Sequence, residues 1–353
     1  MDRDGTVDLL AQVSEAATRG AALRIVGGDS KRFYGRAVEG VPLSTRGHTG
    51  ILRHDPAELV LTARGGTPLA QVEAQLEAHG QRLPFEPPHL GTDATFGGTV
   101  AAGLAGPARA WAGPLRDFVL GARVLTGDGR ILRFGGEVMK NVAGYDVARL
   151  MAGSLGVLGV LLDVSLKVLP RPAGECTLAL ELDNAAALEH LASLSRGALP
   201  LTAGSWIAGR LYLRFEGSAE TLDAVAARVG GEVVAGGESL WASLREQTHP
   251  FFTGERPLWR CTVPALAAPL PLDGELLVEW NGMQRWYRCA ADAAVFEVAR
   301  AVGGHATLFR HRAAGTAEVF APLAPPLLRL HRELKRVFDP AGILNPGRMY
   351  AEL

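Results

Sequence analysis

Apolar residues along the first 80 positions recur at two spacings, one typical of helices and one typical of short strands. The segment 7–19 has the amphipathic pattern of a helix. A second helix is predicted to begin at Thr67-Pro68, with threonine as the N-cap and proline at the first helical position, and to end at Gly80. The apolar face of this second helix consists of Leu69, Val72 and Leu76.

Short apolar runs predict the strands of the same region. These runs cover 22–26, 43–54 and 59–63. The segment 119–134 predicts a β-hairpin that turns at Asp128-Gly129, a residue pair that favours tight turns. A helix around 145–151 is predicted to lead into a β-run that ends at Pro170.

Beyond Pro170 the pattern changes to strands that alternate with helices. Two-residue periodicity in strands separated by helical segments is typical of an antiparallel sheet backed by helices. The predicted strands are 177–182, 206–215, 258–264, 275–289 and 305–311, and the predicted helices are 185–196, 218–229, 291–302 and 325–338. The sequence therefore predicts an α+β fold in which the middle of the chain forms a module of its own.

Composition narrows the classes of function. The chain has 353 residues and a formal net charge of −1, which argues against nucleic acid as a partner because a polyanion-binding surface shows a basic excess. Its start lacks the regions of a signal peptide, and its most apolar run, from Val157, is interrupted by Asp163 and is too short to span a bilayer. The three cysteines have neither metal-binding nor disulfide spacing. We expect a soluble protein of a reducing compartment.

Glycine is the informative excess. The sequence contains 43 glycines, and they cluster in the first 160 residues. In VARLMAGSLGVLGVLL, residues 147–162, glycines stand at 153, 156 and 159 inside an apolar run. A glycine inside a helix or strand costs about 0.5–1 kcal/mol relative to alanine, so something is expected to approach this backbone closely. A ligand and a close crossing of helix and strand both explain the spacing.

Two further glycine-rich loops precede that stretch. The first, RIVGGDSKRFYG at 24–35, offers successive N–H groups and a serine hydroxyl, as in an anion-binding nest, but matches neither GxGxxG nor a Walker A loop. The second, 84–107, places Gly97-Gly98 before small residues, as at a helix N-terminus that packs against an anionic or flat group. An ordinary glycine turn and a tightly packed small-residue helix are the alternatives. Together the three loops predict a long ligand with phosphates and rings, a dinucleotide in a non-Rossmann setting.

The order of these loops resembles the vanillyl-alcohol-oxidase-type, or PCMH-type, FAD-binding fold. The segments RFGGEVMKNVAGYDVARLMAGSLGVLGVLLDVSLKVLPRP and FDPAGILNPGRMYAEL are similar to the FAD-binding subunits of bacterial glycolate oxidases, and the resemblance runs essentially from end to end. It implies a PCMH-type FAD-binding domain of two small α/β subdomains over 1–171, an antiparallel-sheet α+β cap over 172–315, and a segment 316–353 that returns to the FAD domain.

The resemblance also implies contacts with FAD, and it implies that FAD is what approaches the backbone at the glycines of the third loop. The first loop would wrap the diphosphate, the second would pass the diphosphate and the flavin, and the third would offer backbone to the adenine and ribose. The implied residues are Val26, Gly27, Gly28, Asp29, Ser30, Pro88, Gly91, Thr95, Gly97, Gly98, Ala102, Ser154, Gly156, Gly159 and Val160, with Asn345 in a C-terminal turn near the ring or its entrance. A simple helix-terminating turn is the alternative for the segment of Asn345. Asp29 places a carboxylate near phosphates and is expected to turn outward or to cap a backbone N–H. FAD is expected to be non-covalent, because the first loop lacks histidine and the first 170 residues lack cysteine.

Oxidation of a 2-hydroxy acid requires hydride transfer to the flavin, a base for the hydroxyl proton and a cation for the carboxylate. Related D-2-hydroxy-acid dehydrogenases carry a histidine-rich metal cluster in the cap, but this chain has no HxxxH or HxxH pair with a nearby acid, so no metal is expected. His305 is the candidate base and Arg310 the candidate carboxylate clamp, with a structural role as the alternative for a lone strand histidine. His48 and His54 flank a predicted strand and are assigned to packing or capping.

The resemblance implies an FAD-carrying subunit of a glycolate-oxidising complex. Its expected partners are a second flavin subunit and an iron–sulfur subunit that passes electrons towards membrane quinone, and its expected place is the cytoplasm, with membrane contact only through those partners. The absence of cluster-binding cysteines fits that division of labour. Two alternatives stay open: a self-sufficient FAD-dependent hydroxy-acid or sugar oxidase, and a non-catalytic assembly subunit with a degenerate flavin site.

Overall fold

The computed structural model describes residues 2–136, 146–290, 294–311 and 318–353. The first residue of the predicted helix at 145–151, the first three of the helix at 291–302 and the predicted boundary between 315 and 316 lie outside these ranges.

The first part of the chain forms one parallel strand pair and a five-stranded antiparallel sheet. Its elements are α1 (Thr6–Arg19), β1 (Leu23–Val26), β2 (Val41–Ser44), β3 (Ile51–Asp55), β4 (Val60–Arg64), α2 (Leu69–Glu77), β5 (Gln81–Arg82), α3 (Phe96–Ala102), α4 (Arg109–Ala112), a 3-10 turn (Leu115–Phe118), β6 (Val119–Leu125), β7 (Ile131–Gly135), α5 (Val147–Leu150), β8 (Val160–Lys167) and β9 (Leu169–Pro170). β1 pairs with β2, and the five-stranded sheet has the order β3-β4-β8-β6-β7. The predicted hairpin is confirmed as β6 and β7, with Gly129 at φ +80° in its turn.

The start of α2 differs from the prediction. Pro68, not Thr67, is the N-cap, and its ring offers no side-chain cap. The Thr67 hydroxyl bonds instead with the backbone N–H and carbonyl of Gly50 at 2.9 and 3.2 Å, because the chain passes close to β3 here. The helix ends at Glu77, three residues before Gly80, which has the predicted positive φ of +65°.

The middle of the chain forms the cap, by which we mean the described residues from 175 to 311. Its elements are β10 (Glu175–Glu181), α6 (Asn184–Leu194), β11 (Leu201–Ile207), β12 (Arg210–Glu216), α7 (Ala219–Val229), β13 (Glu232–Val233), α8 (Gly237–Arg245), a 3-10 turn (Pro250–Phe252), β14 (Leu258–Thr262), β15 (Glu275–Glu279), β16 (Gln284–Arg288), α9 (Ala294–Ala301) and β17 (His305–Arg310). Among the described residues, eight strands form one sheet in the order β13-β10-β12-β11-β15-β16-β14-β17, and all its pairs are antiparallel. The predicted antiparallel α+β module is thereby confirmed.

Two predicted cap strands are each two strands joined by a tight turn. The run 206–215 spans parts of β11 and β12, which turn at Ala208 and Gly209 with φ of +49° and +88°. The run 275–289 contains β15 and β16, which turn through Trp280 and Asn281 with φ of +53° and +58°. The apolar pattern continues across both turns and did not indicate them, although Gly209 and the Asn281-Gly282 pair favour positive φ.

The C-terminal segment returns to the first part of the chain. It contains α10 (Pro325–Phe338), as predicted, and then runs beside β1. The N–H of Leu23 donates to the Ile343 carbonyl at 2.7 Å, and the N–H of Asn345 donates to the Leu23 carbonyl at 2.9 Å. This pairing places the tail at the edge of the first glycine loop.

A shared apolar core joins the cap to the first part of the chain. Tyr34 and Leu104 from the first part pack in one buried cluster with Trp286 and Phe309 of the cap. The Phe309 ring lies 5.2 Å from the ring of Tyr34 and 4.9 Å from that of Trp286. The cap therefore covers the loops that follow β1.

Candidate functional site: a basic cavity built from four segments

A cavity of about 330 Å³ lies where the three glycine loops meet the C-terminal tail. Its walls come from the loop after β1, the start of α3, the approach to β8, and the tail, and the cap adds His311. Eleven of the sixteen predicted cofactor residues line it: Gly27, Gly28, Asp29, Ser30, Thr95, Gly97, Gly98, Ala102, Gly156, Gly159 and Asn345.

The first two loops interlock at this cavity. Thr95 is the N-cap of α3, and its hydroxyl accepts the N–H of Gly98 at 3.3 Å. A Cβ on Gly27 would lie 2.3 Å from the Thr95 hydroxyl oxygen, and a Cβ on Gly28 would lie 1.5 Å from the Asp93 carbonyl oxygen. Both glycines therefore make room for the second loop, while their backbone faces the cavity.

The glycines of the third loop have three separate causes within the protein, which supports the close crossing that the sequence left open beside a ligand. Gly153 has φ +80° with open space at its Cβ position, so its backbone conformation alone favours glycine. Gly156 has φ +75°, and a Cβ there would lie 2.8 Å from the Asn345 amide nitrogen. A Cβ on Gly159 would lie 2.3 Å from a methyl carbon of Val124. The close crossing is internal, although Gly156 and Gly159 still present backbone to the cavity.

Asn345 fastens the tail to two cavity walls. Its side-chain oxygen accepts the Ile25 N–H at 2.8 Å, and its side-chain amide donates to the Leu155 carbonyl at 2.7 Å. The residue is 6% exposed and has φ +42°. It lies seven residues after α10 ends at Phe338, so it does not belong to a turn that terminates this helix.

Positive charge dominates the cavity lining. Among the described residues that line it, the basic ones are Arg24, Lys31, Arg32, Arg36 and Arg348, and the single acid is Asp29. Burial lowers the pKa of Lys31 to about 8 and that of Arg348 to about 10. The excess of cations, held partly away from water, favours an anionic ligand.

Asp29 lies at the mouth of the cavity. It is exposed, with φ +58°, and its carboxylate lies 3.3 Å from the guanidinium of Arg24 and 3.9 Å from that of Arg32. The ion pairs offset the negative charge that this residue brings to the mouth of the cavity.

Five predicted cofactor residues lie outside the cavity lining. Val26 ends β1, where it pairs with Ser44 of β2. Gly91 lies against Ser30, with a Cβ position 3.1 Å from the Ser30 Cβ. The remaining three are Pro88, which lines a smaller cavity beneath the cap, Ser154, which is 5% exposed, and Val160, whose side chain is in the core with Leu9 and Leu125.

The two predicted catalytic residues are also away from the lining. His305 stands at the start of β17, and loss of solvation together with the nearby guanidinium groups of Arg260 and Arg109 lowers its pKa. Arg310 stacks over Phe33, with its guanidinium carbon 4.6 Å from the ring centre. Phe33 itself lines the cavity, so Arg310 lies one side chain behind the wall.

The two histidines assigned to packing have that role. His48 is 1% exposed, its Nδ1 accepts the Gly5 N–H at 3.0 Å, and its Nε2 lies 3.1 Å from the Leu162 carbonyl oxygen. His54 is hydrogen-bonded to Gln75 and Gln81.

Lys31 and His311 are cavity residues that the sequence reasoning missed. Lys31 directly follows the predicted anion-binding nest, and a basic residue at that place could have indicated a further contact with the anion. His311 ends the predicted strand 305–311, and its buried Nδ1 has no hydrogen-bond partner among the described residues. An unpartnered buried nitrogen at a cavity wall is costly unless a ligand or water satisfies it.

Metal and membrane features are absent from the part of the chain that the structure describes. No group of three or more histidine, cysteine, aspartate or glutamate side chains there could hold a metal ion. In the same residues, no helix combines the length and the apolarity needed to cross a bilayer.

Two family models match the chain. The model of the FAD binding domain matches residues 5–135, and the model of the C-terminal domain of FAD linked oxidases matches residues 294–349. The first match contains the interlocked loops 24–35 and 84–107, and the second contains His311 and the tail. The backbone-lined walls, the basic lining and the unpartnered His311 nitrogen fit FAD, a ligand with two phosphates and several hydrogen-bonding ring atoms.

Curated relatives and solved structures agree with these matches. Glycolate oxidase subunit GlcE of Escherichia coli K12 is 50% identical over 98% of this chain and 97% of its own length. A D-lactate dehydrogenase of Archaeoglobus fulgidus is 26% identical over 89% of this chain and 82% of its own length, and glycolate oxidase subunit GlcD of Bacillus subtilis is 34% identical over 36% and 27%. A structure of alkyldihydroxyacetonephosphate synthase has the same fold, with a TM-score of 0.66 and 16% identity over 96% of this chain and 75% of that one.

Proposed function

The chain belongs to the FAD-linked oxidase family, in the branch of glycolate oxidase subunit GlcE, and from that premise we propose that it is an FAD-carrying subunit of a complex that oxidises glycolate to glyoxylate. The observation that carries the proposal is the basic, backbone-lined cavity, whose interlocked walls fall within segments that match FAD-binding and FAD-oxidase models. The proposal names glycolate as the substrate because the GlcE relative, a glycolate oxidase subunit, matches this chain over nearly its whole length.

FAD supplies the chemistry of hydride acceptance when it is bound. The chain's own residues would hold it: the loops after β1 and before α3 present backbone N–H groups and cations, and Asn345 fixes the tail against β1 and the third loop. Oxidation of the substrate also needs a base, and His305 is the candidate from this chain. Its lowered pKa keeps the imidazole neutral and able to accept a proton at pH 7.

We propose a division of labour with other subunits. The named relatives GlcE and GlcD are subunits of glycolate oxidases, which supports a second flavin subunit as partner. An iron–sulfur partner is proposed because no group of three or more cysteine, histidine or acidic side chains among the described residues could hold a metal, and cluster ligation requires several thiolates together. Delivery of electrons to membrane quinone would then take place through that partner.

The test is anaerobic stopped-flow reduction of the bound flavin by glycolate, with D-lactate as a second substrate. The isolated chain is expected to reduce its flavin about 10²–10⁴-fold more slowly than the reconstituted complex, the usual contribution of a general base, because His305 lies outside the cavity lining and would act as a base only once a partner subunit completes the site. Equal rates would show a complete active site in this chain and replace the proposal by a self-sufficient oxidase, in which case His305→Ala should slow the reaction. A colourless chain that cannot be reconstituted with FAD would favour a non-catalytic assembly subunit.

A further inference from the structure

A short segment of the second glycine loop is held from two sides. The carboxylate of Glu246, at the end of α8 in the cap, accepts the N–H of His89 at 3.0 Å and that of Leu90 at 2.9 Å. On the other side, the His89 carbonyl accepts the Ser30 hydroxyl at 2.8 Å and the Lys31 ammonium at 3.0 Å. One peptide segment therefore connects the cap to the first glycine loop.

This segment has a backbone conformation that needs outside support. Leu90 has φ +52°, and Gly91 has φ +146°. A non-glycine residue in the left-handed region persists when its surroundings fix it, and the Glu246 carboxylate is the group that fixes the N–H of Leu90. Arg245 donates to the other carboxylate oxygen at 2.8 Å and orients it.

Lys31 completes the arrangement at the cavity wall. Its ammonium forms no ion pair with any carboxylate of the described residues, although it lines the cavity. Burial lowers its pKa to about 8, and the charge of Glu246 opposes that shift. The other charged and titratable groups around it are Arg245 from the cap, His89 with its partner Glu73, Arg348 from the tail, and Arg24, Asp29 and Arg32 from its own loop.

We propose that Glu246 is a positioning residue for the cofactor: it holds the His89–Leu90 segment so that the Lys31 ammonium is presented to the anionic part of FAD. The cap then takes part in retaining FAD through a residue that lies outside the cavity lining. This inference rests on the FAD-binding part of the proposed function and is independent of the substrate.

The experiment is titration of the apoprotein with FAD, followed by flavin fluorescence, from pH 7 to 9.5, above the ordinary histidine range of about 6.5. Wild-type affinity is expected to fall as the pH rises through about 8, because Lys31 loses its charge there. Glu246→Ala should weaken FAD binding at pH 7 at least tenfold, and Glu246→Gln should move the pH step downward. Glu238→Ala, an exposed carboxylate on the same helix, is the matched control and should leave binding unchanged.

Two substitutions of the lysine separate its charge from its size. Lys31→Arg should keep FAD affinity and remove the pH step, because a guanidinium stays charged throughout this range, whereas Lys31→Met should weaken binding and also remove the step. Wild-type affinity in both Glu246 variants would overturn the positioning role, and an unchanged pH step in both Lys31 variants would overturn the charge role. A wild-type chain that binds no FAD would overturn the proposed function as well, whereas FAD binding without glycolate oxidation would overturn only the substrate assignment.

Discussion

Lys335 holds the C-terminal tail in place, and its replacement by methionine should destabilise the chain strongly. The ammonium is 7% exposed and donates to the Val157 carbonyl at 2.9 Å, to the Leu344 carbonyl at 2.6 Å and to the Asp339 carboxylate at 2.7 Å. Methionine has a similar length but no donor, so all three bonds are lost. Asp339, 1% exposed, then keeps a buried charge with only the N–H groups of Ile343 and Leu344 to stabilise it.

The expected loss in the free energy of unfolding is about 3–5 kcal/mol, the range for removing one partner of a buried ion pair. It is measured by urea denaturation of the apoprotein, with Lys167→Met at a partly exposed position as the control. Lys335→Met combined with Asp339→Asn should recover part of the loss, because the buried charge is removed while the amide oxygen still accepts one of the two N–H groups; the other N–H loses its acceptor, so the recovery is incomplete. A loss below about 1 kcal/mol for Lys335→Met, or no recovery in the double variant, would refute the reasoning.

Three further predictions concern a buried acid, a cavity glycine and the cofactor. Burial raises the pKa of Glu279 to about 7, so the free energy of unfolding should fall as the pH rises from about 4.5 to 7. Glu279→Gln should remove this pH dependence, whereas Glu189→Gln, at an exposed position, is the control and should keep it. Gly98→Ala should weaken FAD binding at least tenfold, because Gly98 lines the cavity. It should change the free energy of unfolding of the apoprotein by under about 1 kcal/mol, because the added Cβ meets only the Thr95 hydroxyl, at 2.9 Å. Gly28→Val, in contrast, places its side chain against backbone and should prevent folding. Acid precipitation should release all the flavin into the supernatant, and flavin fluorescence that remains with the denatured chain on a gel would contradict non-covalent binding.

Local sequence patterns correctly predicted those helices and turns whose formation is determined by residues close in the sequence. The hairpin at Asp128-Gly129 has a turn with a strong sequence preference, and α1 and α10 have a clear apolar face. The turn at Ala208-Gly209 and the turn at Trp280–Gly282 were missed because the apolar pattern continues across them, although Gly209 and the Asn281-Gly282 pair are residue types that favour positive φ. Thr67 was wrongly assigned as an N-cap because its hydroxyl bonds with Gly50, a residue that is distant in the sequence and that a local pattern cannot reveal.

The cavity could be predicted only in part, for the same reason. Glycine spacing alone indicated the three loops, whereas their individual contacts with FAD and the part played by Asn345 came from the resemblance to a family, which carries tertiary information that spacing lacks. Lys31 stood next to the predicted nest, but its importance depends on Glu246, which lies more than 200 positions later. His311 was passed over in favour of His305, since nothing in a strand pattern tells which end of the strand meets the first part of the chain.

The reasons why glycine is required at the cavity positions show how the walls of the cofactor site are formed. If a ligand alone required them, the walls of the cavity would be shaped only when FAD is bound. The structure instead has Gly27 against Thr95, Gly28 against Asp93 and Gly156 against Asn345, all of which are contacts between protein segments. Each contact joins two different walls, so the cavity is formed by the packing of the loops on one another and on the tail. Preformed walls avoid the ordering cost that a disordered loop would incur on binding, and this favours tight retention of FAD without a covalent link.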